Sequence, residues 1–488
     1  MATEGLLKRD GSVELVENVV NTRYEDLSPK DRDVVKKDIL DTLGCVIAGS
    51  SHLPFEQLVA YLKDQGGKAE STIMVYGGKV PALSAALANA GMARALDLDS
   101  VYWPTGTHIS ATIVPASFAV AERQGGINGK DLITAVVLGE DTGLRIMGAC
   151  KACPGSLAKR TRAGSFIGGT FGAAMVAGKL MKLDNEKMLD AFGNAYCQVT
   201  GDMACLWGGA LSQPVHQGIV ARAGIFSAIL ASIGVTGTKD VLEGKWGYYQ
   251  TFENGVYSRE ALTTDLGKRF WGTGVSVKPY CCCAFPFTPM WATKELVKEH
   301  DISPEEIEEI TVFCSEDVLT QCSPDRIDPK TAVDLHYSLP WAVGVVAAKG
   351  EASIEDFTLE GKQKVRDVVV PLARKVKGVH EPEFDVVRLR AGLHGPDFNL
   401  DRLEERGNLL PAVVEIRTKQ RGSYKKRVDY GRGNPQNPMS WEEIAAKFRD
   451  CARFVARPLS HKNIEQVIEL VRGLEEVEDV ALIATLLS

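Results

Sequence analysis

The sequence predicts a mainly α protein in two parts, a large all-helical domain and a smaller α+β domain. Three observations carry that prediction. From residue 11 to about residue 276, apolar residues recur at helical spacing. After Pro279 short runs of β-type residues enter. Beyond a turn-rich stretch, GRGNPQNP at 431–438, the helical pattern returns. The chain has 488 residues, 45% hydrophobic and 24% charged, ordinary globular proportions that exclude a disordered or collagen-like chain. Its 56 Lys and Arg against 63 Asp and Glu leave a net charge of −7, so no nucleic-acid partner is expected.

The helical part is read in order. Leu40, Leu43, Val46 and Ile47 make one buried stripe. The run PALSAALANAGMARALDL at 81–98 carries small residues on nearly every face, so this helix is expected to be enclosed by others. The same Gly and Ala usage returns at 168–178 and 218–234, with polar turns such as 183–186 between. Charges run through the N-terminal residues where a secretion signal needs an unbroken apolar core. Lys179 and Arg222 interrupt the apolar stretches 165–181 and 218–235, which therefore read as buried helices and not as membrane spans. Eleven cysteines, an odd number, fit reduced thiols in a cytoplasm and no disulfides.

In the α+β part, residues 309–314, 413–418 and 425–429 read as strands, and 304–308 and 362–375 as helices. Ser440 is placed to cap a helix over 441–452, with Glu443 in capping-box position, and a last helix is expected over 462–474. This tail returns to the first domain. The expected division is 1–276 with 437–488 helical, and 277–436 α+β.

The stretch ARALDLDSVYWPTGTHISATIVPA at 93–116 is the most informative for chemistry. A buried helix ends at Asp97 and Asp99, a Pro and Gly loop follows, and His108 precedes another apolar run, so acids and an imidazole converge between two core helices. Helix caps and a core histidine would look the same at this level. Cys150 and Cys153, and the consecutive Cys281, Cys282 and Cys283, lack the two spaced pairs of a zinc site, so inert buried thiols and no metal are expected. No phosphate-binding P-loop is present, and the glycines at 168–172 have no preceding strand.

The 93–116 stretch resembles the signature of the MmgE/PrpD family, which includes 2-methylcitrate dehydratase, cis-aconitate decarboxylase and iminodisuccinate epimerase. Further resemblances follow in order: Phe171–Ala173 with Lys182 and Leu183, Pro214–His216 before ARAG at 221–224, KPYCCC at 278–283, SLP at 338–340, and Asn437–Met439 with Phe448. The resemblance implies a helical domain completed by the tail, a smaller α+β lid, a homodimer, and a cleft between domains that uses no metal or cofactor. It implies Asp97 and His108 as an acid–base pair, His108 moving the proton and Asp97 orienting it or taking a hydroxyl proton. It implies Lys278 as the ammonium that steadies developing charge on a carboxylic acid substrate, with Tyr280 as a companion.

Four positions depart from the family pattern. Ala163 stands where the family has histidine and Gln213 where it has lysine. Cys283 or Phe287 replaces a second histidine, and Trp341 a tyrosine. Fewer cations point away from tricarboxylates and towards a less charged or bulkier, more apolar acid. Arg162, with Lys159 and Arg160, is a candidate to restore positive charge; His336 is a candidate for the lid side, and His216 for a structural role. The leading expectation is a lyase that dehydrates a 2-methylcitrate-like β-hydroxy acid. Decarboxylation, epimerisation with Cys283 as second base, and a non-catalytic binding protein are the alternatives.

Overall fold

The computed structural model describes residues 9–150, 163–201, 203–207, 210–389, 399–406 and 408–488. Counting helices of ten residues or more, the described chain runs α1 (Gly11–Asn21), α2 (Pro29–Gly49), α3 (Phe55–Asp64), α4 (Ala82–Arg94), α5 (Ser110–Gln124), α6 (Gly129–Ala149), α7 (Gly164–Leu180), α8 (Asn185–Tyr196) and α9 (Ser212–Ser232). It continues with α10 (Phe287–Glu299), α11 (Leu339–Lys349), α12 (Leu359–Ala373), α13 (Trp441–Cys451) and α14 (His461–Arg472). The mainly α class read from periodicity is the class observed.

Local chemistry sets the helix ends. Ser28 caps α2 in a reciprocal capping box with Asp31, and Pro29 occupies the first turn, where no N–H is needed. Asn128 caps α6 through the Asp131 N–H at 2.9 Å. Ser440 and Glu443 form the expected box at the head of α13. The glycines of α6 and α7 are packing devices. A Cβ on Gly143 would stand 2.6 Å from the Gly168 carbonyl oxygen, and one on Gly172 would stand 2.5 Å from that of Gly139, so the two helices cross at a distance no larger residue permits. Helix α7 also packs on α5, α8 and α9, and α9 on α4, which encloses α4 as its small residues require.

The α+β part holds a four-stranded sheet: β1 (Ile307–Cys314), β2 (Val376–His380), β3 (Ala412–Thr418) and β4 (Gly422–Val428), in the order β2-β1-β3-β4. Strands β1 and β2 are parallel; β1 with β3 and β3 with β4 are antiparallel. Ala412, Val414, Ile416 and Thr418 alternate inward along β3. Residues 304–308, expected to be helical, form a turn that runs into β1, and the acidic run Glu305–Glu309 continues as half-exposed strand. Strand β2 escaped sequence reading because KGVH at 377–380 has neither alternation nor length.

The buried apolar residues form two clusters. One gathers α1 to α9 with α13 and α14; the other gathers the sheet and α10 to α12, and it also takes in Leu98, Val101 and Trp103 of the α4–α5 loop. That loop is therefore clamped from both sides. Among the described residues α9 is long and apolar enough to cross a membrane, but 56% of its apolar window is buried inside the protein. Its partners are α4, α7 and α8, as expected of a core helix.

Candidate active site

The α4–α5 loop begins at Arg94, the last residue of α4, which is 5% exposed. Three residues on, the backbone reaches Asp97 at φ 52°, a left-handed turn that aspartate tolerates better than most residues. The turn brings Asp97 and Asp99 onto the same guanidinium nitrogen. Arg94 Nη1 donates to Asp97 Oδ1 at 2.5 Å and to Asp99 Oδ1 at 3.1 Å. Lys278 enters from the other part of the chain: its Nζ donates to the Asp97 carbonyl at 2.8 Å and lies 3.1 Å from Asp97 Oδ1. The second cation is thus aimed at the same acid. From the C-terminal helix α13, Lys447 Nζ donates to the Leu98 carbonyl at 3.0 Å and pairs with Asp41 of α2 at 2.5 Å, pinning the loop between its two carboxylates.

His108 closes the arrangement. Its Nδ1 lies 3.0 Å from Asp99 Oδ2. Its backbone N–H donates to Ser165 Oγ at 2.9 Å, and its carbonyl accepts from Gln217 Nε2 at 3.1 Å. Burial by itself would raise both loop carboxyls. For Asp97 it is outweighed by Lys278 and Arg94, and for Asp99 by Arg94 and His108, so both stay below the usual carboxylate range. Burial, then Arg94, pushes the His108 imidazole down against the pull of Asp99. An ionised Asp99 only accepts, so Nδ1 carries the proton and Nε2 is the basic nitrogen.

Several of these groups line a cleft that encloses about 890 Å³ when its open mouth is counted. Arg94, Asp97, His108, Gln213, Lys278 and Cys283 face it, together with Trp103, Phe166 and Phe285. Trp103 and Phe285 meet edge to face at 5.3 Å, and His216 stacks behind Phe166 at 4.2 Å, the structural place expected for that histidine. Helix α7 begins on the cleft wall with Ala163 as a cap that makes no side-chain hydrogen bond, so the positive end of its dipole opens there. A second cleft of about 840 Å³ shares Arg94, Asp97, Gln213 and Tyr337 with the first. The Gln213 carboxamide oxygen, assigned by its surroundings, accepts from Arg94 Nε and Nη2 at 3.2 and 3.3 Å. The Arg94–Gln213 pair is therefore the partition between the two clefts.

Several expected site residues stand elsewhere. The orienting partner of His108 is Asp99 and not Asp97. Trp341 is fully buried and donates through Nε1 to the Asp356 carbonyl at 3.0 Å; from this segment it is Tyr337, four residues earlier and ahead of the N-cap Ser338, that lines the cleft. Tyr280 packs edge to face on Phe287 at 5.6 Å and is absent from the cleft lining. His336 lines the second cleft, with Nε2 against the Phe357 carbonyl at 3.0 Å. Arg162, Lys159, Arg160 and Cys153 lie outside the described residues. Cys281 donates to the Leu96 carbonyl at 3.2 Å, and burial pushes its thiol up to about 12. Asp97, Asp99 and His108 bring three ligating atoms within 4.8 Å of one another. Arg94 and Lys278 already hold oxygens of both acids, so a divalent ion would have to displace them.

Sequence reading missed Arg94, Ser165, Gln217 and Tyr337. Arg94 had a signal: the single charge of its helix, at the helix end, three and five positions before two acids.

The MmgE/PrpD N-terminal domain matches residues 13–260, and the MmgE/PrpD C-terminal domain residues 280–472. The chain is 27% identical over 492 residues to the cis-aconitate decarboxylase of Aspergillus terreus, covering 96% of this chain and 94% of that one. It is 26% identical over 488 residues to a cis-aconitate decarboxylase-like protein of Aspergillus oryzae, covering 95% of each. It is 25% identical over 463 residues to the cis-aconitate decarboxylase of Homo sapiens, covering 93% of this chain and 89% of that one.

The lowered His108 predicts how acid acts on the fold. With the folded value depressed, its contribution is intact above the unfolded histidine value of about 6.5 and is lost as pH falls below it. The Tm drop between about pH 7.5 and about pH 5 is expected to be smaller in His108→Gln than in the parent protein. Equal drops would contradict a buried, neutral His108. The depressed carboxyls of Asp97 and Asp99 stay ionised across that window.

Proposed function

The chain belongs to the MmgE/PrpD family, and from that premise we propose that it is a lyase acting on a small carboxylic acid through proton transfer at the carbon beside the carboxylate. One observation carries the reading: His108 is held neutral, with Nδ1–H on Asp99 and Nε2 as its basic nitrogen, on the wall of a cleft that also presents Lys278. In the step this geometry supports best, Nε2 takes the α-proton of a β-hydroxy acid. Charge flows into the carboxylate, where Lys278 and the start of α7 steady it. Asp99 stabilises the imidazolium, which returns its proton to the departing hydroxyl as water and leaves an alkene.

The names of the relatives favour a second reading, decarboxylation. There the electrons of the broken carbon–carbon bond enter the same enolate, and His108 must begin protonated to deliver a proton to carbon. Burial opposes a resting protonated state, which supports the first reading, while the names of the relatives support the second. Epimerisation needs a second base across the same carbon, and Cys283 is the thiol on the cleft wall.

Proton NMR in heavy water with β-hydroxy and unsaturated carboxylic acids tests the reading. The expected result is an alkene with solvent exchange at the α-carbon, slowed about 10²- to 10⁴-fold in His108→Ala with an unchanged circular dichroism spectrum. Loss of CO2 from unsaturated acids alone would establish the second reading. Undiminished turnover in His108→Ala would overturn the site assignment.

We also propose a homodimer. Leu211, Ile219, Phe226 and Ile233 stand exposed along α9 and its ends, at spacings of seven and eight residues, with Ile233 at 71%, an apolar stripe that a second copy would cover. Light scattering is expected to give twice the chain mass for the parent and a monomer for Phe226→Asp; a monomeric parent would remove the proposal.

A further inference from the structure

We infer that the site takes a monocarboxylate bearing an apolar arm and excludes acids with three carboxylates. This deepens the lyase reading and rests on it.

The argument is one of charge and of available donors. Among the described residues of the cleft and its backing, two cations, Arg94 and Lys278, face two ionised carboxylates, Asp97 and Asp99, and His108 is neutral. These described charges balance one another before substrate enters. Arg94 has spent most of its fork: Nη1 on Asp97 and Asp99, and Nε with one Nη2 hydrogen on the Gln213 oxygen. Lys278 has spent two of its three hydrogens on Asp97. One N–H remains on each cation, enough to grip one carboxylate.

Among the described residues, a second and third carboxylate would have to shed water without a cation of their own, which is a costly way to bury a charge. Gln213 decides this. Its oxygen satisfies Arg94 internally, and being neutral it adds no cation of its own. The remaining wall invites a different kind of substituent: Trp103, Phe166, Met203, Ala284 and Phe285 are apolar, and Ala163 contributes only a methyl group. An alkyl or aryl arm desolvates favourably against those faces.

The experiment pairs turnover with binding. Two β-hydroxy acids with the same reacting centre are compared, one carrying a phenyl or butyl arm and one carrying two further carboxylates. The parent enzyme is expected to show kcat/KM at least about 100-fold higher for the monocarboxylate. Gln213→Lys is expected to narrow the ratio by about 10-fold or more, because it adds a cation and frees Arg94. A parent enzyme that prefers the tricarboxylate would overturn the inference while leaving the lyase reading in place. Thermal stabilisation by the saturated, unreactive analogues separates the two claims. If neither acid reacts and the monocarboxylate analogue alone raises Tm, the lyase reading falls and the selectivity stands. A larger rise with the tricarboxylate would overturn the selectivity.

Discussion

Four buried charges hold this site together. Arg94 joins Asp97 to Asp99, Lys278 grips Asp97 from the other part of the chain, and neither carboxylate could stay ionised at such depth without them. Everything the chemistry needs follows from that compensation. An ionised Asp99 fixes the His108 tautomer and leaves Nε2 basic, and burial, with the same cations, pushes the imidazole below its ordinary value. Removing one partner would strand the others, so the network is both the scaffold of the site and its electrostatic setting.

The fold is arranged to deliver these groups to one place. Glycines at the α6–α7 crossing let α7 press in until its first turn lies beside His108, with Ser165 accepting the His108 N–H. The tail of the chain returns to supply Lys447, which holds the loop by the Leu98 carbonyl. The segments that lead into α10 and α11 contribute Lys278, Cys283 and Tyr337. The loop itself joins the two cores, giving Leu98, Val101 and Trp103 to the second and Tyr102 and Ile109 to the first.

Asp97 and His108 stood out in the sequence because a helix end and a Pro and Gly loop frame them, whereas Lys278 was singled out by the family resemblance alone; all three line one cleft. The class was found because helical and strand periods differ so plainly on the two sides of Pro279. What sequence could not show was direction. Asp97 and Asp99 are equivalent in one dimension, and the left-handed turn at Asp97 decides which of them faces His108. Tyr337 and Trp341 are four residues apart, and the N-cap at Ser338 sends one to the cleft and the other into the core. Gln213 read as a lost cation; its effect on Arg94 emerged only when both were placed on the same partition.

The central claim is that His108 rests as a neutral imidazole with its proton on Nδ1. Long-range proton–nitrogen correlation spectra of nitrogen-15 histidine-labelled protein near pH 7, with His108→Gln to assign the signal, measure this directly. The account predicts a protonated Nδ1 and an unprotonated Nε2 for His108. An imidazolium, or a proton on Nε2 with Nδ1 bare, would contradict it.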